Sequence, residues 1–170
     1  MIAGEGPKAN GIPEMFYPSE YLNRDPVLRH VAAMITDGRY SGATYGPCIG
    51  HASPEAYERG GIGALRTGDL VYMDTAGRRI DVLDEAASFR DGRFDPVPLE
   101  RDALLARPEL AERISWMRRR RQDIPASIRL LLDATTTCME GVTPRGLSGD
   151  GTLEPMVPRG GESGQAAKGR

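Results

Sequence analysis

The chain has 170 residues, enough for one domain with a substantial core, and its net charge of −2 gives no electrostatic reason to expect a nucleic-acid partner. No apolar run approaches the roughly 20 residues of a membrane span, and the N-terminus lacks the pattern of a signal peptide, so we expect neither. Two distant cysteines, Cys48 and Cys138, indicate reduced thiols rather than a disulfide framework or a zinc site, and the expected location is the cytoplasm.

The first sixty residues are dense in glycine and proline. Residues 1–26 are predicted to be irregular, because prolines and glycines at this density disfavour a long helix or strand. The apolar run over 30–36 predicts a short buried strand, and 37–50 a glycine-rich loop. The sequence SPEAYERGG, residues 53–61, predicts a short helix: it opens with an N-cap serine, a proline and an acid, and it ends in a glycine pair.

The next segment reads as a hairpin followed by irregular chain. Residues 69–74 and 78–83 alternate apolar and polar side chains around a short turn, which is typical of two antiparallel strands. Residues 86–98 contain a glycine and two prolines and are predicted to form a loop. One or two helical turns are expected over 99–106.

Two longer helices and a tail follow. Residues 108–121 begin with proline, carry an early glutamate and end in four arginines, a charge order that suits the helix dipole. We interpret the arginine run as a solvated helix end rather than an anion-binding patch. Residues 125–139 begin with proline and place apolar residues on one face. The apolar-poor residues 141–170 are predicted to be disordered.

The stretch GEGPKANGIPE, residues 4–14, is the first candidate for chemistry. It is either a backbone loop that sets the Glu14 carboxylate beside an anion or metal, or an ordinary turn with an exposed glutamate. On spacing alone the ordinary turn is favoured, because a single glycine-rich loop is a weak signal.

The second candidate is TDGRYSG, residues 36–42. A glycine-rich turn after a strand can expose side chains from a rigid scaffold, so Ser41 is a candidate for presentation to a site. The surroundings lack the Gly-x-Ser-x-Gly pattern of a nucleophile elbow. The alternative is structural: Asp37 and Arg39 form a local ion pair, and Ser41 caps a turn.

Cys48 and His51 are spaced like metal ligands, but two such residues do not make a site. Only one other histidine is present in the chain. We therefore interpret His51 as a structural hydrogen-bonding residue and Cys48 as a small buried side chain rather than a reactive thiol.

Three stretches in a fixed order resemble a known family. They are GPKANGIPEM at 6–15, ITDGRYSGATYGPCIGHASPEA at 35–56, and GDL followed by a hairpin that ends in RRIDVL, over 68–83. Together they closely resemble the C-terminal domain of the dihydroxy-acid and sugar-acid dehydratases, which include dihydroxy-acid, phosphogluconate and aldonate dehydratases. The resemblance covers roughly residues 4–85, about half of the chain.

The resemblance implies a hydro-lyase that converts a 2,3-dihydroxy acid or sugar acid to a 2-keto acid. It implies an iron–sulfur cluster as Lewis acid on the C3 hydroxyl, and a magnesium ion on the substrate's carboxylate and C2 oxygen. The family's proton-abstracting serine matches Ser41, and its magnesium-binding glutamate matches Glu14. A dication lowers the pKa of a nearby hydroxyl, which a serine alone needs in order to act as a base near neutral pH. Asp37 and Arg39 are expected to brace the loop, or Arg39 to reach the substrate's acid.

The resemblance also implies a missing partner. The family's cluster cysteines, remaining magnesium ligands and modified metal-binding lysine lie in a larger N-terminal domain that this sequence lacks. Neither Cys48 nor Cys138 stands at a cluster-ligand position. We therefore expect a chain that is inactive alone, either a fragment or one half of a split enzyme paired with a separate N-terminal chain. Smaller departures are Ile12, where Met is common, and Tyr40, where Phe or Met is common.

The expected fold is the family's swivelling α/β domain: a mixed, barrel-like β-sheet with short helices over 1–85, a helical extension over 86–140, and the tail. The first hypothesis is a dehydratase C-terminal domain that contributes Glu14 and Ser41 to a site completed elsewhere. The alternative is a non-catalytic binding or interaction module that retains the fold; a degraded gene is a third possibility. An exposed apolar face would favour the first hypothesis, and cover of that face by the C-terminal helices would favour the alternative.

Overall fold

The computed structural model describes residues 1–137, which form a mixed α/β arrangement of seven helices and six short strands. The predicted disordered tail at 141–170 and Cys138 lie outside the described residues. In chain order the elements are α1 Pro7–Asn10, α2 Phe16–Arg24, α3 Leu28–Val31, β1 Met34–Ile35, β2 Cys48–Ile49, β3 Val71–Asp74, β4 Arg79–Val82, α4 Glu85–Ser88, β5 Phe89–Arg90, β6 Arg93–Phe94, α5 Arg101–Leu105, α6 Pro108–Gln122 and α7 Ala126–Ala134.

The strands pair into three separate two-stranded sheets. β1 and β2 are parallel, whereas β3–β4 and β5–β6 are antiparallel hairpins. Within residues 1–137 none of these sheets closes into a barrel, because a barrel needs a continuous staggered ring of hydrogen-bonded strands and these strands have only two to four residues. The α/β class is confirmed, and the barrel-like sheet is not.

The N-terminal region holds more helix than its sequence predicts. α2 runs for nine residues although it contains Pro18. The proline is tolerated because it lies in the first turn, where the missing N–H removes no intrahelical hydrogen bond. The predicted strand at 30–36 is wrong in its first part, which is the end of α3. The Asp25 carboxylate accepts hydrogen bonds from the N–H groups of Val27 and Leu28, at 2.8 and 2.9 Å, and so starts that helix. Only Met34–Ile35 is strand.

The segment 53–61 does not form the predicted α-helix. Residues Ala56–Glu58 form a single 3₁₀ turn, and a second one follows at Gly61–Ala64. The Ser53 hydroxyl donates to the His51 carbonyl instead of capping a helix. Gly60 is required because a Cβ at this position would overlap the Pro54 carbonyl.

The C-terminal half follows its predicted pattern more closely. The β3–β4 hairpin pairs Val71 with Val82 and Asp74 with Arg79, as the alternation predicts. The predicted loop at 86–98 instead contains most of α4 and the β5–β6 hairpin. Both α5 and α6 lie where helix was expected, and α7 ends at Ala134, before the predicted residue 139. Within residues 1–137 no helix is both long and apolar enough to cross a bilayer.

One arginine of the predicted solvated run is buried. Arg121 donates to the Tyr57 hydroxyl at 2.9 Å and to Asp133 Oδ1 at 2.7 Å, with its guanidinium 5.1 Å from the Tyr57 ring centre. These contacts tie α6 to α7 and to the first 3₁₀ turn. The other three arginines of the run are exposed, as predicted.

The main core joins the 3₁₀ turns to α6. Its buried members come from both halves of the chain: Ala9, Ile35, Ala56, Ile62, Ala64, Leu110, Ile114 and Met117. Gly63 lets α6 approach, since a Cβ there would lie 2.7 Å from Leu110 Cδ1. α6 therefore packs against the segments that carry the candidate site rather than forming a separate layer.

Leu110→Ala is expected to lower the free energy of unfolding by about 3 kcal/mol, because the fully buried side chain would leave a cavity between α6 and the second 3₁₀ turn. Leu130→Ala, at a position on α7 that is 60% exposed, is the matched control and should change the free energy by less than about 1 kcal/mol. Urea unfolding of both variants measures the difference. Equal losses would contradict this assignment of the core.

Candidate active site

Glu14 and Arg39 lie side by side on adjacent backbone segments. The Met15 N–H donates to the Arg39 carbonyl at 2.7 Å, and the Arg39 N–H donates to the Pro13 carbonyl at 3.2 Å, which forms a parallel bridge between Glu14 and Arg39. Both side chains are exposed. The loop of the first candidate stretch is thus joined to the loop of the second, and a free carboxylate and a free guanidinium occur at the junction.

Ser41 follows this junction by two residues and is half-buried. Its Oγ accepts a hydrogen bond from the Ala43 N–H at 3.0 Å, and its carbonyl accepts one from the Thr44 N–H at 3.1 Å. Ser41 therefore caps a turn, as the structural alternative expected. The Ala43 N–H occupies one acceptor position of Oγ, and within the described residues the hydroxyl proton makes no hydrogen bond. A serine that acts as a base must lose this proton.

Asp37 does not pair with Arg39. Its buried carboxylate accepts three backbone hydrogen bonds, from Gly4 at 3.1 Å, Glu5 at 2.9 Å and Ala56 at 3.0 Å. These donors belong to two segments that are distant in sequence, so Asp37 holds the N-terminal loop and the first 3₁₀ turn to the end of β1. The geometry supports loop bracing and gives no support to the alternative of a local ion pair.

Glu55 is a buried acid, and it does not begin the helix that the sequence predicts at 53–61. Its side chain, 1% exposed, accepts hydrogen bonds from the N–H groups of Lys8 and Ala9 at 3.2–3.3 Å. It thereby caps α1 across 46–47 residues of chain instead of beginning a helix of its own. The pKa of Glu55 is raised to about 7, mainly by burial. The N–H groups of Lys8 and Ala9 lower this pKa, and the nearby carboxylates of Asp37 and Glu58 add to the rise.

The raised pKa of Glu55 makes the stability of the protein depend on pH. Between pH 4.5 and about 7 the folded protein holds a proton that the unfolded chain has lost, so stability falls as the pH rises through this window. We expect Glu55→Gln to remove up to about 3 kcal/mol of this decline. Urea unfolding at a series of pH values measures it, with Glu112→Gln, at an exposed position on α6, as the control. An unchanged slope in Glu55→Gln would contradict the prediction.

Cys48 and His51 each contact a nearby backbone carbonyl. The Cys48 thiol lies 3.6 Å from the Tyr45 carbonyl, and burial raises its pKa, which disfavours a reactive thiolate. The His51 backbone N–H donates to the Gly38 carbonyl at 2.8 Å, a contact that does not involve the imidazole. Within residues 1–137 no group of three or more His, Cys, Asp or Glu side chains is placed to hold a metal ion.

The fit to the two implied cofactors differs. The exposed Glu14 carboxylate is an oxygen ligand of the kind magnesium prefers, but it supplies one ligand of the several that this ion needs. An iron–sulfur cluster requires several thiolates, and the described residues contain one cysteine. The described part of the chain therefore fits a shared magnesium site and does not fit a cluster site.

An open pocket of about 600 Å³ lies elsewhere, between the β1–β2 sheet, the β3–β4 hairpin and α5. Its lining includes His51 and three arginines. Neither Ser41 nor Glu14 contributes to it. The pocket is therefore separate from the candidate residues.

Exposed apolar side chains lie on two packed helices near the Ser41 loop. α2 and α3 pack together, and we call their outward side the α2–α3 face. Its exposed side chains are Phe16, Tyr17, Tyr21, Val27, Leu28 and Val31. The loop runs against α3, since a Cβ at Gly46 would lie 3.6 Å from the Arg29 carbonyl, and neighbouring Tyr45 is 75% exposed. Exposed apolar side chains grouped on two neighbouring helices are typical of an interaction site.

Unsatisfied polar atoms occur in the same region. Among the described residues, the buried side-chain nitrogen and oxygen atoms without a hydrogen-bond partner belong to Asn23 of α2 and to Tyr40 and Thr44 of the Ser41 loop. Buried polar atoms normally find partners, so each unsatisfied one calls for an explanation. Within the described residues these atoms lie only in α2 and in this loop.

Comparison with known proteins gives consistent matches. The sequence profile described as dihydroxy-acid/6-phosphogluconate dehydratase C-terminal matches residues 1–119, well beyond the resemblance at 4–85. A dihydroxy-acid dehydratase of Methanococcoides burtonii is 44% identical over 110 residues, which are 63% of this chain and 20% of that protein. One of Carboxydothermus hydrogenoformans is 44% identical over 111 residues, with the same coverage. The match thus spans about a fifth of the length of these relatives.

Proposed function

The chain belongs to the dihydroxy-acid/6-phosphogluconate dehydratase C-terminal family, and from this premise we propose that it is the C-terminal part of a dehydratase, inactive alone. It would contribute Glu14 and Ser41 to a site that a separate N-terminal dehydratase domain completes. The reaction would convert a 2,3-dihydroxy acid or a sugar acid to a 2-keto acid. The observation that carries the proposal is the backbone bridge that joins the Glu14 segment to the Ser41 loop.

The residues of this chain have separate tasks in that reaction. The C2 proton of a hydroxy acid is weakly acidic, and its carboxylate must be held during proton transfer. Arg39, whose guanidinium is exposed beside Glu14, suits a substrate carboxylate because its planar donors match two oxygens at once. Ser41 would act as an alkoxide: its hydroxyl proton would pass to water, and the Ala43 N–H donated to Oγ would help to stabilise the negative charge. Oγ would then take the C2 proton.

Glu14 would hold magnesium together with ligands from the N-terminal domain. When bound, this ion would stabilise negative charge on the substrate and lower the pKa of a nearby hydroxyl. The iron–sulfur cluster that the family resemblance implies would be held entirely by the other domain, because the described residues do not fit one.

The α2–α3 face is the surface on which we expect the N-terminal domain to dock. It adjoins the Ser41 loop, it is apolar, and the described helices at the C-terminal end, α6 and α7, leave its large side chains exposed. This exposure favours the dehydratase hypothesis over a self-contained binding module, for which those helices would have to cover the face.

Docking can be tested with the N-terminal segment of the Methanococcoides burtonii relative, lacking the region that this chain matches. Anaerobic mixing with this chain should give a complex on size-exclusion chromatography. Val31→Asp should weaken its affinity about tenfold or more, because the complex would bury an unpaired charge. Leu130→Asp, at a similarly exposed position on α7, is the control. Association that is insensitive to Val31→Asp would contradict docking on this face.

A further inference from the structure

We propose that Asp37 and Glu55 act together as a buried carboxylate clasp that positions the Glu14 segment against the Ser41 loop. Both are positioning residues, and neither would touch the substrate. The inference rests on the function proposed above for Glu14 and Ser41, but its first consequence, the placement of one loop on the other, can be measured in this chain alone.

The Asp37 half of the clasp fixes the beginning of the Glu14 segment. Its carboxylate binds the N–H groups of Gly4 and Glu5 on one side and that of Ala56 on the other. A buried carboxylate with three N–H donors is strongly held, because withdrawal of any one segment would leave both a charged oxygen and a buried N–H without a partner.

The Glu55 half fixes the rest of the same segment. By accepting from the Lys8 and Ala9 N–H groups it anchors the first turn of α1, whose last residue precedes Glu14 by only four positions. The connection is taut: Gly11 turns the chain with a φ of 74°, and the Ile12 N–H returns to the Gly6 carbonyl at 3.3 Å. Movement of α1 would therefore carry Glu14 with it.

The clasp packs closely against the N-terminal loop, and burial of its two acids opposes folding. A Cβ at Gly6 would overlap the Glu55 carboxylate, so the loop lies directly on it. The charged groups that act on Glu55 are the acids Asp37 and Glu58. The Lys8 ammonium pairs with Glu58, at 2.9 Å. Two acids buried close together without a cation of their own oppose folding when ionised. Such a cost is typical of a site where placement matters.

Both halves act on the bridge between the two loops. Asp37 lies two residues before Arg39, and α1 lies shortly before Glu14. The clasp thus fixes the same two backbone segments that the hydrogen bond from the Met15 N–H to the Arg39 carbonyl joins. If the clasp positions Glu14, a substitution that loosens the clasp must weaken the hydrogen bond from Met15 to Arg39. It must do so in addition to weakening the hydrogen bonds of the substituted carboxylate.

Amide hydrogen exchange in the full chain tests the inference without any catalytic assay. In Glu55→Gln, and in Glu55→Asp, which is one methylene too short to reach α1, exchange of the Lys8, Ala9 and Met15 amides should each rise about tenfold or more. Glu112→Gln, which removes an exposed charge on α6 outside the clasp, is the control and should leave Met15 unchanged. Unchanged Met15 exchange in both Glu55 variants would overturn the inference and reduce Glu55 to a local cap.

The assembled enzyme supplies the second readout. With the N-terminal domain bound, Glu55→Gln should raise the magnesium concentration for half-maximal rate about tenfold while Glu112→Gln does not. A normal magnesium response despite faster Met15 exchange would overturn the catalytic part of the inference. Absence of activity in the assembled wild-type protein would instead count against the proposed function, and the exchange result would still decide the clasp.

Discussion

Ser41→Ala should lower the rate of 2-keto acid formation by the assembled enzyme about 10²–10⁴-fold, the range expected when a positioned general base is removed. The Michaelis constant should change little, because the hydroxyl acts on the proton being transferred rather than on substrate binding. The fold should persist, since the lost contact is one hydrogen bond to the Ala43 N–H on a partly exposed loop.

Ser53→Ala is the matched control for this substitution. Ser53 also carries a hydroxyl on a neighbouring loop, but it is exposed and donates to the His51 carbonyl. Its removal should leave the rate within about twofold, as is usual for a surface hydroxyl away from a site. A Ser41→Ala enzyme as active as Ser53→Ala would remove Ser41 from the proton transfer.

Asp37→Asn should have the largest effect on stability, a loss of about 3 kcal/mol or more in the free energy of unfolding. The substitution replaces one carboxylate oxygen with an N–H₂ group that faces backbone N–H donors. At least one of the three amides now bound by Asp37 then loses its acceptor, at a cost of about 1–3 kcal/mol for each buried donor, and the charge that strengthens the others is lost.

Asp25→Asn serves as the comparison for Asp37→Asn. Asp25 also accepts two backbone N–H groups, at the start of α3, but its hydrogen bonds are exposed to water. Asparagine is a good helix cap, so this variant should lose about 1 kcal/mol or less. Urea unfolding of the two variants measures the contrast, and similar losses would show that Asp37 is not the bracing residue described here.

Local patterns in the sequence predicted the elements whose residues interact with near neighbours. The β3–β4 hairpin follows from alternation across a short turn, and α6 from its proline start, early glutamate and terminal arginines. The error at 30–36 arose because an apolar run of this length is ambiguous. The hydrogen bonds from Val27 and Leu28 to the Asp25 carboxylate favour a helix at the beginning of this run, and Asp25 itself lies outside the run.

Long-range contacts account for the remaining errors. Arg121 is buried because Tyr57 and Asp133 both contact it. These partners are 64 and 12 residues away in sequence, so a local pattern does not reveal them. Glu55 has every local mark of a helix start, yet its side chain caps α1 instead. Tertiary partners override local propensity in both cases.

Motifs in the sequence name the candidate site residues but do not give their arrangement. The resemblance pointed to Glu14 and Ser41, and glycine-rich loops suggested exposed side chains. The bridge between Glu14 and Arg39, the three amides on Asp37 and the apolar α2–α3 face depend on how distant segments pack. A signal for Glu55 was present, an acid within a matched motif, but its partner could only be found in three dimensions.

The most direct test of the proposed function is a dehydration assay on this chain alone and after anaerobic assembly with the N-terminal segment of the Methanococcoides burtonii relative. The measurement is 2-keto acid formation from a 2,3-dihydroxy acid and from an aldonate, with iron and magnesium supplied. We expect no product from either part alone and product from the assembly, abolished by Ser41→Ala. Product from this chain alone, or an assembled complex that turns over neither substrate, would contradict the proposal.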